Sequence, residues 1–233
     1  MPYLKSQFPL PPPVPDANAH YAMFGEPEKP LPADFTLHID AVTGRKRTLY
    51  GFKQEVYEGA TALAAPETAG GLGLSAEAGH MVGIFSHNCL VRSTSCLRLH
   101  YKLTLEQEYI TLVNALIYTA IPIGLLSAFA TPYELAYGLK TSTSTHLFVQ
   151  AELLPKALEA ARQVGLPEDR IYILEGKSDG RKTFRDMRET IRQFGTPIIP
   201  VKQASKNTLA YLVFSSGTSG LPKGQRCTLQ TAL

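Results

Sequence analysis

Residues 121–174 read IPIGLLSAFATPYELAYGLKTSTSTHLFVQAELLPKALEAARQVGLPEDRIYIL, and the punctuation of this stretch decides the fold class. Three short apolar runs, at 121–126, 146–149 and 171–174, alternate with two longer amphipathic stretches. Each run is too short for a helix and almost continuously apolar, as a strand covered on both faces must be. Between the first two runs, Thr131-Pro-Tyr-Glu134 is a capping box with proline at the first helical position, which starts a helix. Between the second and third, Leu154, Ala157, Leu158 and Ala161 recur on one helical face, and Gly165 closes it. Strands separated by crossover helices lie parallel, because a hairpin is not available to join them.

The pattern continues in both directions. Upstream, Met81-Val-Gly-Ile-Phe85 is a further buried strand, and a helix is expected near 108–119. Thr48 can cap a helix with Phe52, Val56, Ala60 and Leu63 inward, ending near Pro66. Before it, 35–40 alternate as a strand and Val42-Thr-Gly-Arg45 can turn a hairpin. Downstream, Thr183 and Asp186 box a helix whose apolar face is Phe184, Met187, Ile191 and Phe194, and 208–214 form a final buried strand. The expected fold is α/β, with a mostly parallel sheet covered by helices on both faces. Residues 1–35, with PLPPPVP, form a Pro-rich N-terminal arm, free or docked on the body. Residues 109–130 are nearly uncharged and about as long as a bilayer span, but Asn114, Pro122 and Gly124 favour a buried helix followed by a strand, so no membrane span is expected.

Composition narrows the function. The chain has 233 residues, with 23 Lys plus Arg against 20 Asp plus Glu, a net charge of +3, too weak a field to imply a nucleic-acid partner. With 44% hydrophobic residues, 18 Gly and 17 Pro, collagen-like and wholly disordered chains are excluded. Cys89, Cys96 and Cys227 make no CxxC pair, so neither a zinc site nor a disulfide framework is expected, and a reducing compartment fits. No secretory signal precedes the prolines, and Thr231-Ala-Leu233 is not the Ser-Lys-Leu address, so the expected location is intracellular, cytoplasmic or peroxisomal. Gly71-Leu-Gly-Leu-Ser-Ala76 matches G-x-G-x-x-A but precedes a strand, so it reads as a helix-to-strand turn. His80, His87 and His100 lack partners at ligand spacing and read as loop histidines, with no metal site. Arg181, Arg185, Arg188 and Arg192 read as a solvated face opposite Phe184 and Ile191.

The segment that carries chemistry is Tyr211-Leu-Val-Phe-Ser-Ser-Gly-Thr-Ser-Gly-Leu-Pro-Lys-Gly224. A buried strand runs there into hydroxyls, glycines and one lysine. Gly217 and Gly220 let backbone N–H groups approach phosphate oxygens, Ser215, Ser216, Thr218 and Ser219 add hydroxyl donors, and Lys223 adds a point charge. The order is not that of a Walker loop.

This segment resembles the phosphate-binding signature of the adenylate-forming superfamily, which includes acyl- and aryl-CoA ligases, luciferases and peptide-synthetase adenylation domains. The resemblance extends back through YELAYGLKTSTSTHLF, NALIYTAIPIG, MVGIFSHNC and LHIDAVTGRKRTL, and is nearest to fungal 4-coumarate-CoA ligase-like proteins. It implies that 36–224 form part of an AMP-binding N-terminal domain. It also implies an acid–thiol ligase: a carboxylic acid attacks the α-phosphate of Mg-ATP, pyrophosphate leaves, and the CoA thiol then displaces AMP. Ser215 to Lys223 would hold the β- and γ-phosphates and stabilise the leaving charge. ATP, Mg2+ and CoA are the implied cofactors; no catalytic residue is implied.

Two departures accompany the resemblance. After Gly224 the family continues with an apolar strand and the adenine, ribose and acyl pockets, whereas 225–233, QRCTLQTAL, read as an aberrant tail. The expectation is therefore an incomplete N-terminal domain, inactive alone. The other reading is a non-catalytic nucleotide-binding or interaction protein. Residues 91–107 also interrupt the family's run from Leu90 to Glu108, and Val-Arg at one end with Gln at the other suits an in-frame retained intron. A surface-loop insertion is the other account.

Overall fold

Capping boxes and apolar periodicity place most of the elements where the sequence puts them. The computed structural model describes residues 16–25, 30, 32–39, 44–87, 108–176, 180–215 and 223–228. Their order is α1 (Ala19–Phe24), β1 (Thr36–Ile39), β2 (Lys46–Thr48), α2 (Leu49–Ala64), β3 (Val82–Ser86), α3 (Glu108–Tyr118), β4 (Ile123–Ser127), α4 (Pro132–Ser142), β5 (His146–Val149), α5 (Leu154–Val164), β6 (Ile171–Ile173), α6 (Phe184–Phe194), β7 (Leu209–Ser215) and β8 (Lys223–Thr228). Thr131 and Thr183 both close full capping boxes, with Glu134 and Asp186, and Thr48 caps α2 by accepting from Gly51 N–H.

The main sheet runs β6-β5-β3-β4-β7-β8. The first five strands in that order are parallel, and β8 is antiparallel to β7. Side chains alternate between two cores, as the pleat requires. Val82 and Ile84 of β3, Ile123 of β4 and Phe148 of β5 join α2, α3 and α6 on one face. Phe85, Leu126, Leu147 and Val149 join α4 and α5 on the other. The near-continuous apolar runs are thus explained, because each strand is buried on both sides. β1 and β2 pair as a separate antiparallel ribbon beside α2.

Residues 109–130 resolve into nearly all of α3 and then β4. Among the described residues no helix is long and apolar enough to cross a membrane. Part of the N-terminal arm is seated on the body. The Asn18 side-chain amide donates to the carbonyls of Ile117 (2.8 Å), Tyr118 (3.3 Å) and Lys202 (2.9 Å), satisfying the end of α3 and fastening the segment after α6. Gly71 belongs to a tight turn rather than to a ligand cradle. A Cβ there would lie 2.1 Å from the Ala65 carbonyl oxygen, so only glycine lets the chain fold back on α2.

The arginine row of α6 departs from the expected solvated face. Arg188 is 4% exposed and pairs with Glu108 of α3 at 2.5 Å, with Arg185 3.6 Å from the same carboxylate. Arg192 pairs with the buried Glu58 of α2. The helix packs its basic side against the two helices that carry these acids, a long-range match that periodicity cannot register. Burial pushes the Glu108 carboxyl up while Arg188 and Arg185 pull it down. Phe194, expected in the core, is 64% exposed at the last residue of α6.

Candidate functional site

Because β3, β4, β5 and β7 are parallel and in register, Ser86, Ser127, Val149 and Ser215 end on one edge of the sheet. Ligands of open parallel sheets bind outside this carboxyl edge, where neighbouring strands send their connections to opposite sides. Here β3 leaves through α3, on one face, toward β4, whereas its other neighbour β5 leaves through α5, on the opposite face, toward β6.

Gln150 stands between those exits. Its Oε1 accepts from the His87 N–H (3.1 Å) and the Ser86 hydroxyl (3.3 Å), and its own N–H donates to the Phe85 carbonyl (3.2 Å). The His87 ring stands edge-on to Phe129, with centroids 5.3 Å apart, and its Nε2 lies 3.6 Å from Glu152 Oε1. Phe129, just beyond β4, is 85% exposed. His87 is a loop histidine as expected, but the fold puts it at this edge. Gln150 and Phe129 were not singled out in the sequence; the available signal was a polar or aromatic residue directly after a buried strand.

Two strands along, β7 pairs with β8 so that Phe214 faces Gly224 and Ser215 faces Lys223. The intervening segment therefore leaves and returns at the carboxyl edge. Ser215 ends β7, and Lys223 opens β8 with an exposed side chain. Ser216, Gly217, Thr218, Ser219 and Gly220 lie outside the described residues, as do His100, Cys89, Cys96 and all of 91–107. β8 also crosses the boundary expected at 224, because residues 225–228 continue the ladder with β7.

The most strongly shifted groups lie away from this edge. His146, at the amino end of β5, is held down to about 4 by burial, then by His80 and Arg170. His20, on the docked arm, is lowered to about 4 by burial and by Lys53. Neither lies at this edge, so what the edge offers is donors and charge placed by strand ends. Among the described residues no group of three or more His, Cys, Asp or Glu side chains could hold a metal ion.

The sequence profile of one family, described as AMP-binding enzyme, matches residues 107–231. Over 113 residues the chain is 32% identical to a curated protein of Emericella nidulans that carries the provisional name acyl-coenzyme A synthetase, covering 46% of this chain and 20% of that one. Among solved structures it resembles a red-emitting luciferase from Phrixothrix hirtus (TM-score 0.63, 19% identity, 82% of this chain and 32% of that one). It also resembles ATP-bound MatB from Rhodopseudomonas palustris (TM-score 0.63, 18% identity, 92% and 35%). A third likeness is to the anthranilate CoA ligase AuaEII in complex with anthranoyl-AMP (TM-score 0.55, 22% identity, 81% and 31%). At these identities the structural likeness concerns the fold. The chain spans about a fifth of the length of the curated relative and about a third of the length of each of these structures.

Proposed function

The chain belongs to the AMP-binding enzyme family, and from that premise we propose that it carries the outer-phosphate site of an ATP-dependent acyl- or aryl-CoA ligase. In the reaction so proposed, a carboxylate oxygen bonds to the α-phosphorus of Mg-ATP and the bond to the β-phosphate breaks. Pyrophosphate leaves, and the thiol of CoA later displaces AMP. Ser215 to Lys223 hold the β- and γ-phosphates, with Lys223 taking up charge as pyrophosphate departs.

The observation that carries this reading is the pairing of Ser215 with Lys223 at the carboxyl edge. It anchors both ends of the hydroxyl-, glycine- and lysine-bearing segment where a parallel sheet presents its ligands. We further propose that the 233-residue chain binds phosphate without turnover. A site for the outer phosphates does not by itself aim a carboxylate at the α-phosphorus, and alignment is a large part of the barrier.

The test is pyrophosphate release by the purified chain with ATP, CoA and a panel of fatty and aromatic acids, beside calorimetric titration with Mg-ATP and with inorganic tripolyphosphate. Saturable phosphate binding with no release above background is expected. Robust turnover refutes the inactive-alone proposal. Absence of any phosphate binding refutes the site and leaves the non-catalytic interaction protein.

A further inference from the structure

We infer that Gly224 is a positioning residue for Lys223, a role that rests on the phosphate reading above. Gly224 is the second residue of β8 and faces Phe214 across the ladder. It is absent from the glycines with positive φ, so the backbone conformation there does not call for glycine. The demand is for space. A Cβ at this position would lie 2.7 Å from Leu212 Cδ2, 3.3 Å from Phe214 Cε1 and 3.6 Å from Thr141 Cγ2. Carbon atoms pack best at roughly 3.5 to 4.0 Å, so the first contact is a clash and the second is tight.

The three neighbours form a bed. Leu212 and Phe214 come from β7, Thr141 comes from α4, and Leu212 is itself buried. A side chain at 224 is accommodated by turning the end of the Leu212 side chain, which is confined by its burial, or by lifting β8. A lift of β8 occurs one residue from Lys223, whose backbone pairing with Ser215 sets where the lysine leaves the sheet. The missing side chain of Gly224 thus lets β8 lie close enough to β7 and α4 to aim the Lys223 ammonium at the phosphates.

The test titrates the 233-residue chain with inorganic tripolyphosphate by calorimetry, with thermal melts by circular dichroism alongside. Four proteins are compared with the wild type: Lys223→Ala, Gly224→Ala, Leu212→Val and Gly224→Ala/Leu212→Val, the last adding one methyl and removing one nearby. Gly224→Ala is expected to stay cooperatively folded and to weaken binding about tenfold, which is the loss of ~1.4 kcal/mol; Lys223→Ala should weaken it at least as much. The double variant should recover the affinity of Leu212→Val, whether or not Gly224→Ala alone remains folded at the assay temperature. A Gly224→Ala affinity equal to wild type, beside a weakened Lys223→Ala, overturns the positioning role and leaves the phosphate site standing. A double variant that stays tenfold weaker than Leu212→Val overturns it as well. A wild-type chain that does not bind tripolyphosphate sinks the phosphate reading itself, and this inference with it.

Discussion

Acid should unfold this protein partly through His146, and the size of the effect follows from where the ring sits. His146 is 6% exposed at the start of β5. Its ring edge meets His80 with centroids 5.2 Å apart, stacks parallel to Tyr172 at 6.4 Å, and its Nδ1 lies 2.9 Å from Thr145 Oγ1. Burial is the main reason its pKa falls from 6.5 to about 4. His80 and Arg170 add to the depression, and Asp169 opposes them. In the unfolded chain the imidazole takes up its proton near pH 6.5, and in the folded chain only near 4. The unfolded state therefore binds more protons between those values, and stability is lost as pH falls through that window. At ~1.36 kcal/mol per unit, the contribution lost between pH 7 and 4.5 is about 2 kcal/mol. The assay is urea unfolding followed by circular dichroism at both pH values, for the wild type and for His146→Phe, which keeps a ring against Tyr172. Carboxylates and His20 titrate in both proteins and cancel in the difference. The variant should lose about 2 kcal/mol less than the wild type between pH 7 and 4.5. An identical pH dependence in the two proteins would refute the argument.

Two further outcomes can be checked by simple means. Arg188→Ala leaves the buried Glu108 carboxylate with Arg185 at 3.6 Å and should cost about 3 kcal/mol in denaturant unfolding, while Glu108→Gln/Arg188→Met should recover most of that; a loss under about 1 kcal/mol would show the pair to be dispensable. Deleting 91–107 leaves His87, Asn88, Cys89 and Leu90 between β3 and α3, within the roughly 2 to 6 residues usual for such a connection. The deleted chain should melt no lower than the full one, and a peptide running from Leu90 directly to Glu108 should appear in protein from the source organism. A large drop in melting temperature, or peptides from inside 91–107 alone, would favour a genuine insertion.

Much of the element list was legible because it is written in local spacing. Thr131 with Glu134 and Thr183 with Asp186 start helices through bonds made within four residues, and the apolar runs around Ile84, Phe148 and Ile173 announce strands buried on both sides. The phosphate-binding role proposed for Ser215 to Lys223 rests on an equally local pattern, since glycines, hydroxyls and a lysine in sequence are the donors themselves. What no local pattern contained was adjacency. β3 lies between β4 and β5, so His87 and Gln150 meet across a strand pair although they are far apart in sequence. Arg188 looked like a solvated residue until α6 packed it on Glu108, and His146 looked like an ordinary strand residue until His80 and Tyr172 closed over it. Residues 225–228 read as part of an aberrant tail because they depart from the apolar strand that the resemblance implies; their place comes from the ladder that β8 makes with β7, with Gly224 leaving room for Leu212. Backbone hydrogen bonding and capping act over a few residues and can be read along the chain, whereas burial, ion pairing and strand order are set by contacts between distant segments and exist only once the chain has folded.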